Sequence, residues 1–103
     1  MLDKGTVINT VTQYANAVTQ QFSPAAIILF GSYAKGEATA ESDIDVAVVF
    51  DGFSGDWLET SSSLWRMRRG ISYEIEPHLL DMSDDKSGFV RHVFKTGQII
   101  YPM

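Results

Sequence analysis

The chain has no cysteine among its 103 residues. Disulfide bridges, thiolate metal sites and cysteine nucleophiles are therefore excluded. The lack of disulfides is typical of proteins of the reducing cytoplasm. Basic residues are also scarce, since 8 lysines and arginines face 13 acidic residues and the formal net charge is -5. Stable binding of nucleic acid by the chain alone is not expected, because counterion release needs clustered positive charge. An acidic protein instead suits divalent cations or a basic protein partner.

Long apolar runs are missing as well. No stretch of about 18 or more uncharged apolar residues is present, and the N-terminus lacks the pattern of a secretory signal. We therefore expect no membrane association and a cytoplasmic location. Because 45% of the residues are hydrophobic, a chain of this length builds one compact core, and we expect residues 1–103 to form a single domain. The sequence leaves homodimer formation open.

Helix and strand patterns alternate along the chain. Apolar residues at intervals of three and four predict a helix over residues 6–22, which Ser23 and Pro24 end. The unbroken apolar run at residues 25–30, and the segment 44–50, which is apolar after Asp45, predict buried strands. The other predicted elements are a short helix at residues 32–36, helices at 56–69 and 89–94, and strands at 71–80 and 99–101. This order predicts an α/β or two-layer α+β domain with a small mixed β-sheet flanked by helices.

The most specific feature is the segment GSYAKGEATAESDID at residues 31–45. Gly31 and Ser32 directly follow a predicted strand, where glycine lets the backbone approach a phosphate and a helix N-terminus offers free N–H groups. Lys35 lies one turn further on and is placed to neutralise a phosphate oxygen. An isolated Gly-Ser pair would indicate only a tight turn with an ordinary helix cap.

Asp43 and Asp45 open the second predicted strand. Because side chains alternate along a strand, the two carboxylates point the same way, while Ile44 points into the core. Hard oxygen ligands suit Mg²⁺ or Mn²⁺, and two such ions about 3.5–4 Å apart can clamp the attacking and leaving oxygens of a phosphoryl transfer. The pair therefore predicts a metal site next to the phosphate-binding turn.

As a whole, this segment resembles the signature of the DNA polymerase beta nucleotidyltransferase superfamily, which is Gly-Ser, ten residues, then Asp-x-Asp. GSYAKG and SDIDVAVV are similar to the matching stretches of its minimal nucleotidyltransferase (MNT) domains. The resemblance implies the nucleotidyltransferase fold, with Gly31 and Ser32 on the phosphates of a nucleoside triphosphate and Asp43 and Asp45 on the metal. It also implies transfer of a nucleoside monophosphate, AMP from ATP, to an acceptor hydroxyl, with release of pyrophosphate.

The family's third carboxylate, a metal ligand and base, lies on the next core strand. The corresponding stretch ISYEIEPHLL has no aspartate and offers Glu74 and Glu76 on one face. We predict that Glu76 fills this role, with Glu74 as the alternative. The competing interpretation is an exposed charged face of an edge strand, which Pro77 favours. His78 shares the face, where such a residue is more often a bystander than a base or ligand.

The resemblance also implies a biological role. Minimal members of the superfamily are often encoded beside a small helical HEPN protein, with which they form a toxin–antitoxin pair, and we predict that this chain is the antitoxin that adenylylates such a partner. Larger relatives carry a second domain that binds the acceptor. We therefore expect another protein to supply the acceptor-binding part of the active site. The alternative is a catalytically weak nucleotide-binding module that inhibits its partner by occlusion. Antibiotic nucleotidylation and template-directed polymerisation rank lower.

Two further patterns have simple structural interpretations. Trp57 and Trp65 are eight residues apart on one predicted helix face, which favours a place in the core. The acidic stretch at residues 81–85 is expected to be a solvated loop.

Overall fold

A computed structural model describes residues 2–102, in which four helices alternate with four strands. The elements are α1 (Lys4–Gln21), β1 (Ala26–Phe30), α2 (Ser32–Lys35), β2 (Ile44–Phe50), α3 (Trp57–Arg66), β3 (Ile75–Asp81), α4 (Phe89–Thr96) and β4 (Gln98–Tyr101). The order of elements and the predicted α+β class, a small mixed sheet flanked by helices, are confirmed. None of the helices within residues 2–102 combines the length and the apolar character that crossing a membrane requires.

The four strands form one sheet in the order β3-β2-β1-β4. β1 is antiparallel to both β2 and β4, whereas β2 and β3 are parallel. Phe30, at the end of β1, is opposite Asp45, and Asp45 is opposite Glu76 near the start of β3. The end of β1 and the beginnings of β2 and β3 therefore lie together at one end of the sheet.

One face of the sheet packs against α1, α2 and α3. Helix α1 contributes a fully buried stripe at helical spacing, which includes Val7, Val11, Tyr14 and Val18. The Tyr14 hydroxyl donates a 2.7 Å hydrogen bond to the Leu64 carbonyl oxygen of α3. Burial raises the pKa of this hydroxyl, so that it remains a donor and ties α3 to α1. These contacts make this the larger of the two cores.

The opposite face is covered only in part. Helix α4 places Val90 and Val93 against a smaller core formed by Ala26, Ile28, Ala47 and Val49 of β1 and β2. Towards the end of the sheet where β1 ends, the side chains on this face become partly exposed: they are the aromatic Phe30 and the polar Asp45, Glu76 and His78. This difference along one face leaves a polar surface at the end of the sheet.

Strand β3 forms one edge of the sheet, as Pro77 indicates. The bonds from Ile44 N–H to the Glu74 carbonyl and from Met82 N–H to the Phe50 carbonyl show that even-numbered residues bond to β2. Pro77 thus has its missing N–H on the outer side, where the ladder needs none. The guanidinium of Arg68 donates to the carbonyl of Tyr73 at 2.8 Å and covers the start of this edge.

Two sequence-based predictions about this region are wrong. The third core strand begins at Ile75 rather than at residue 71, because Ile71 and Ser72 donate their N–H groups to the Arg68 carbonyl and turn around the end of α3. Trp57 and Trp65 are 45% and 40% exposed, because α3 meets the core through Thr60 and Leu64 instead. The apolar residues of α3 therefore extend beyond its buried face.

Gly97, between α4 and β4, has no room for a side chain. A Cβ there would lie 2.6 Å from Ile28 Cγ2 and 2.8 Å from the Leu29 carbonyl oxygen. We expect Gly97→Ala to lower the free energy of unfolding by about 1–3 kcal/mol, measured by urea denaturation, because backbone and buried side chain must both move. Gly5→Ala, at an exposed position of α1, is the control and should raise stability by up to about 1 kcal/mol. Equal effects of the two variants would contradict this packing.

The acidic stretch at residues 81–85 is more than a solvated loop. The Asp81 carboxylate accepts hydrogen bonds from the N–H groups of Gly52, Phe53 and Ser83 at 2.8–3.0 Å, and from the Ser83 hydroxyl at 2.7 Å. These bonds, led by that of the Ser83 side chain, hold the pKa of Asp81 well below its usual range. Asp81 thereby fastens the β2–α3 turn to the end of β3.

This lowered pKa makes the stability depend on pH. The ionised Asp81 stabilises the fold above the unfolded-state pKa of about 3.9, and its contribution is lost as the pH falls towards the folded-state pKa. We expect Asp81→Asn to be less stable than wild type in urea at pH 7, and to lose less further stability between pH 4 and pH 2. Asp84→Asn, at a neighbouring exposed carboxylate, is the control. A wild-type acid dependence in Asp81→Asn would contradict the assignment.

Candidate active site

The polar end of the sheet brings three ionisable side chains together. Asp45 on β2 and Glu76 and His78 on β3 lie on one face, as the parallel register of the two strands requires. The His78 Nε2 atom is 3.2 Å from Asp45 Oδ1 and 3.7 Å from Glu76 Oε1. One potential ligand atom from each residue falls within 4.8 Å of the others, so the three are placed to hold one metal ion.

Asp43 adds a further carboxylate to this group. It lies one residue before β2 and is exposed. A hydrogen bond with the Asp43 side chain raises the pKa of Glu76, and partial burial and the charge of Asp45 raise it further. The charge of His78 opposes these effects. Three crowded carboxylates form a site in which a bound cation would relieve mutual repulsion.

The Gly-Ser turn lies directly beside the carboxylates. Gly31 has φ 75° and ψ -148°, and it occupies the N-cap position of α2. A Cβ on Gly31 would collide with the Asp45 carboxylate, and would lie 3.2 Å even from its Cγ. The backbone of this turn and the Asp45 side chain of β2 therefore lie so close together that only glycine fits at position 31. The predicted phosphate turn and metal carboxylates are neighbours in space.

The other two predicted phosphate-binding residues belong to α2. Ser32 is half-buried in the first position of this four-residue helix, and Lys35 is exposed in the last. The helix is anchored by Tyr33, which is buried in the larger core. Gly36 then ends the helix in the left-handed conformation. Ser32 thus borders the site, while the Lys35 side chain is exposed to solvent.

Comparison with known proteins agrees with this geometry. The family model described as "Polymerase beta, Nucleotidyltransferase" matches residues 12–102 of the chain. The chain belongs to the polymerase beta nucleotidyltransferase family. The matched region includes the turn, the carboxylates and all four strands, so that the site described above lies within the family's own domain.

Relatives of this nucleotidyltransferase are described as enzymes. "Putative protein adenylyltransferase MJ0604" of Methanocaldococcus jannaschii is 30% identical over 95 residues, which are 88% of this chain and 94% of that protein. "Putative protein adenylyltransferase MJ1379" of the same organism is 46% identical over 39 residues, 38% of this chain and 39% of the relative. A crystal structure of a putative nucleotidyltransferase from Sulfolobus solfataricus matches with a TM-score of 0.67 at 22% identity. It covers 93% of this chain and 80% of that one, and supports the fold.

The two candidates for the nucleotidyltransferase's third carboxylate have different surroundings. Glu76 is within β3 and belongs to the group with Asp45 and His78. Glu74 lies in the turn before β3, where it is exposed, and its carbonyl accepts a 2.8 Å hydrogen bond from Ile44 N–H. The geometry therefore favours Glu76 as the third carboxylate, on the same face as Asp45.

For His78, the sequence favoured a bystander over a base or ligand. The structure places its Nε2 atom in contact with Asp45, and its ring packs edge-on against Phe30 at a centroid distance of 5.0 Å. Phe30 in turn packs edge-on against Phe89 at 5.9 Å. The available signal was the two-residue spacing from Glu76, which puts both side chains on one face of β3.

Gly31 offers a test of the close approach between turn and carboxylate. We expect Gly31→Ala to lower the free energy of unfolding by about 3 kcal/mol, because strain at this backbone conformation adds to the collision with Asp45. Gly36→Ala is the control, since Gly36 also has a positive φ, of 73°, but a Cβ there meets nothing within 4 Å. That variant should lose about 1 kcal/mol.

A double-mutant cycle separates the collision from the backbone strain. Replacing Asp45 with alanine removes the atoms that a Cβ on Gly31 would meet first. Gly31→Ala should therefore destabilise the Asp45→Ala protein less than the wild type, as measured by urea denaturation. Equal losses in the two backgrounds would mean that Gly31 and Asp45 do not meet.

Proposed function

We propose that this nucleotidyltransferase moves AMP from ATP to a hydroxyl group of a protein partner, with release of pyrophosphate and with Mg²⁺ as cofactor. The observation that carries the proposal is the meeting of Asp43, Asp45 and Glu76 beside the Gly31 turn at one end of the sheet. Nucleotidyl transfer needs bound phosphates, charge neutralisation and a base, and this end of the sheet offers residues for each.

The donor set fits a divalent cation. Oxygen atoms of Asp43, Asp45 and Glu76 would hold Mg²⁺, or Mn²⁺ in its place. A hydrogen bond with Asp43, partial burial and the charge of Asp45 raise the pKa of Glu76, and a bound cation would instead favour its ionised form. When bound, a divalent ion would neutralise charge on the phosphates and on the attacking and leaving oxygens.

The Gly31 turn would bind the phosphates of ATP. Without a Cβ, Gly31 lets a phosphate oxygen approach the backbone, and the Ser32 hydroxyl adds a hydrogen-bond donor. Lys35 would reach the pyrophosphate portion as a mobile positive charge. Binding at this turn would place the α-phosphorus over the carboxylates, because Gly31 and Asp45 adjoin.

Glu76 would act as the general base. In the reaction the acceptor oxygen forms a bond to the α-phosphorus while the bond from this phosphorus to the pyrophosphate oxygen breaks. The hydroxyl proton passes to the Glu76 carboxylate. In the metal-free protein, a hydrogen bond with Asp43, partial burial and the charge of Asp45 raise the pKa of Glu76. Asp43 and Asp45 would hold the metal beside this base.

Two observations support a protein acceptor. The relatives from Methanocaldococcus jannaschii are described as protein adenylyltransferases. The net charge of -5 disfavours a nucleic acid and suits a basic protein. We propose a small helical HEPN-type toxin in the cytoplasm as the partner, with this chain as its antitoxin.

The test uses ATP labelled on either the α- or the γ-phosphate. The chain is purified with the product of the neighbouring gene, and Mg²⁺ and each labelled ATP are added. Nucleotidyl transfer predicts label on the partner from α-labelled ATP alone, whereas a kinase would transfer only the γ-label. Absence of both labels, with the partner still neutralised, would replace the proposal by inhibition through occlusion.

A further inference from the structure

His78 is one of two histidines in the chain, and its surroundings differ from those of the other. Its Nε2 atom faces the carboxylates of Asp45 and Glu76, and its side chain is 33% exposed. His92 lies on α4 and is exposed. Only His78 is therefore placed to take part in a site at the end of the sheet.

The distances in this group match those between ligands of one ion. Two ligand atoms each about 2.1 Å from an ion are about 3.0 Å apart in octahedral geometry and about 3.4 Å apart in tetrahedral geometry. The observed separations of His78 Nε2 from Asp45 Oδ1 and Glu76 Oε1 are 3.2 and 3.7 Å. The His78 nitrogen is thus spaced from each carboxylate oxygen much as two ligands of one ion are, and all three ligand atoms lie within 4.8 Å of one another.

The His78 ring is also held in place. It packs edge-on against Phe30, which is itself supported by Phe89. Asp45 and Glu76 are opposite each other in the ladder between β2 and β3, so the backbone fixes the spacing of their Cα atoms. Because the His78 ring is packed and all three residues lie on strands, their side chains would lose little conformational freedom on binding an ion.

We propose that His78 is a nitrogen ligand of the active-site ion, and that it raises the affinity of this site for Mn²⁺ relative to Mg²⁺. The inference rests on the proposed function, because Asp45 and Glu76 are shared with it. Mg²⁺ prefers oxygen ligands and retains water, whereas Mn²⁺, as a transition-metal ion, accepts an imidazole nitrogen more readily. Without His78, the carboxylates alone would discriminate less between the two ions.

The test is electron paramagnetic resonance of bound Mn²⁺. The protein is labelled uniformly with ¹⁵N and mixed with Mn²⁺ and α,β-methylene ATP, whose own nitrogens are ¹⁴N. Pulsed measurements should detect a ¹⁵N coupling of a directly bonded nitrogen in wild type. The coupling should persist in His92→Gln and vanish in His78→Gln. Circular dichroism confirms that each variant is folded.

Metal affinities give a second readout. Titration of the free Mn²⁺ signal should show that His78→Gln weakens Mn²⁺ binding by at least about tenfold, with little change in Mg²⁺ affinity measured by competition. Retention of the ¹⁵N coupling in His78→Gln would overturn the proposal.

Failure of this proposal is distinguishable from failure of the proposed function. Bound Mn²⁺ without ¹⁵N coupling would mean that His78 only donates a hydrogen bond to Asp45, and label transfer to the partner would leave the function standing. A ¹⁵N coupling in a protein that transfers no label would keep the ligand and reject the function. Failure of Mn²⁺ to bind would overturn this inference and the metal part of the function together.

Discussion

Asp45→Asn is expected to lower the rate of nucleotidyl transfer about 1000-fold. Loss of one metal-binding carboxylate removes several kcal/mol of transition-state stabilisation, and about 4 kcal/mol corresponds to this factor. Asp45 has the central position in the site, because it is opposite Glu76 in the sheet, contacts His78 and adjoins Gly31. Transfer is measured as the initial rate of α-label incorporation into the partner at saturating ATP and metal.

The stability of this variant should not fall with its activity. The asparagine side chain would keep an oxygen that can accept from His78, while the charge repulsion between Asp45 and Glu76 disappears. The thermal unfolding midpoint of the metal-free protein should therefore be at least that of wild type. Asp51→Asn is the matched control, since Asp51 follows the opposite end of β2 and is exposed. Transfer at the wild-type rate by Asp45→Asn would exclude the metal role of Asp45.

Glu76→Gln is expected to lower the rate about 300-fold, because it removes a general base and a metal ligand at once. Glu74→Gln is the matched control. Glu74 is two residues away in the chain but lies outside the group, in the turn before β3. We expect it to retain transfer within a factor of about two. Rates are compared at saturating ATP, so that the difference reports the chemical step and not nucleotide affinity.

The opposite ranking of these two variants would assign the third carboxylate to Glu74. Equal and mild losses in both would mean that neither residue is the base. A further distinction comes from the pH dependence of transfer. If Glu76 is the base, activity requires its ionised form and falls as the pH drops through the pKa of Glu76 in the metal- and ATP-bound enzyme, whereas Glu76→Gln should lack this acidic limb.

The core strands were the most predictable part of the fold. The strand predicted over residues 44–50, which are apolar after Asp45, corresponds to Ile44–Phe50, because a carboxylate and a turn delimit it on either side. The strand predicted over residues 71–80 was less well delimited. Its first residues have an alternating pattern, but hydrogen bonds to the Arg68 carbonyl turn the chain there, and periodicity does not register such local bonds.

Helix α3 shows a second limit of pattern analysis. Its apolar residues occupy more of the surface than the sheet covers, so spacing alone did not distinguish Leu64, which is buried, from Trp65, which is 40% exposed. The choice is made by tertiary contacts, here with Tyr14 of α1. Because these contacts bury the face of α3 that carries Leu64, both tryptophans of the helix are left exposed.

The candidate site was predictable where the motif is local. The segment at residues 31–45 placed the glycine turn and Asp45 at neighbouring strand ends, and the antiparallel register of β1 and β2 brings them together. His78 could not be assigned in this way. Its contact with Asp45 depends on the parallel register of β2 and β3, and the two residues are 33 positions apart in sequence.

The most direct test of the account is the intact mass of the partner protein. The partner is isolated from cells that also express either the wild-type chain or the double variant Asp43→Asn/Asp45→Asn. We expect a mass increase of one or more AMP groups with wild type and none with the double variant. A partner that is unmodified in both cultures although the wild-type chain neutralises it, or that is modified equally in both, would contradict the account.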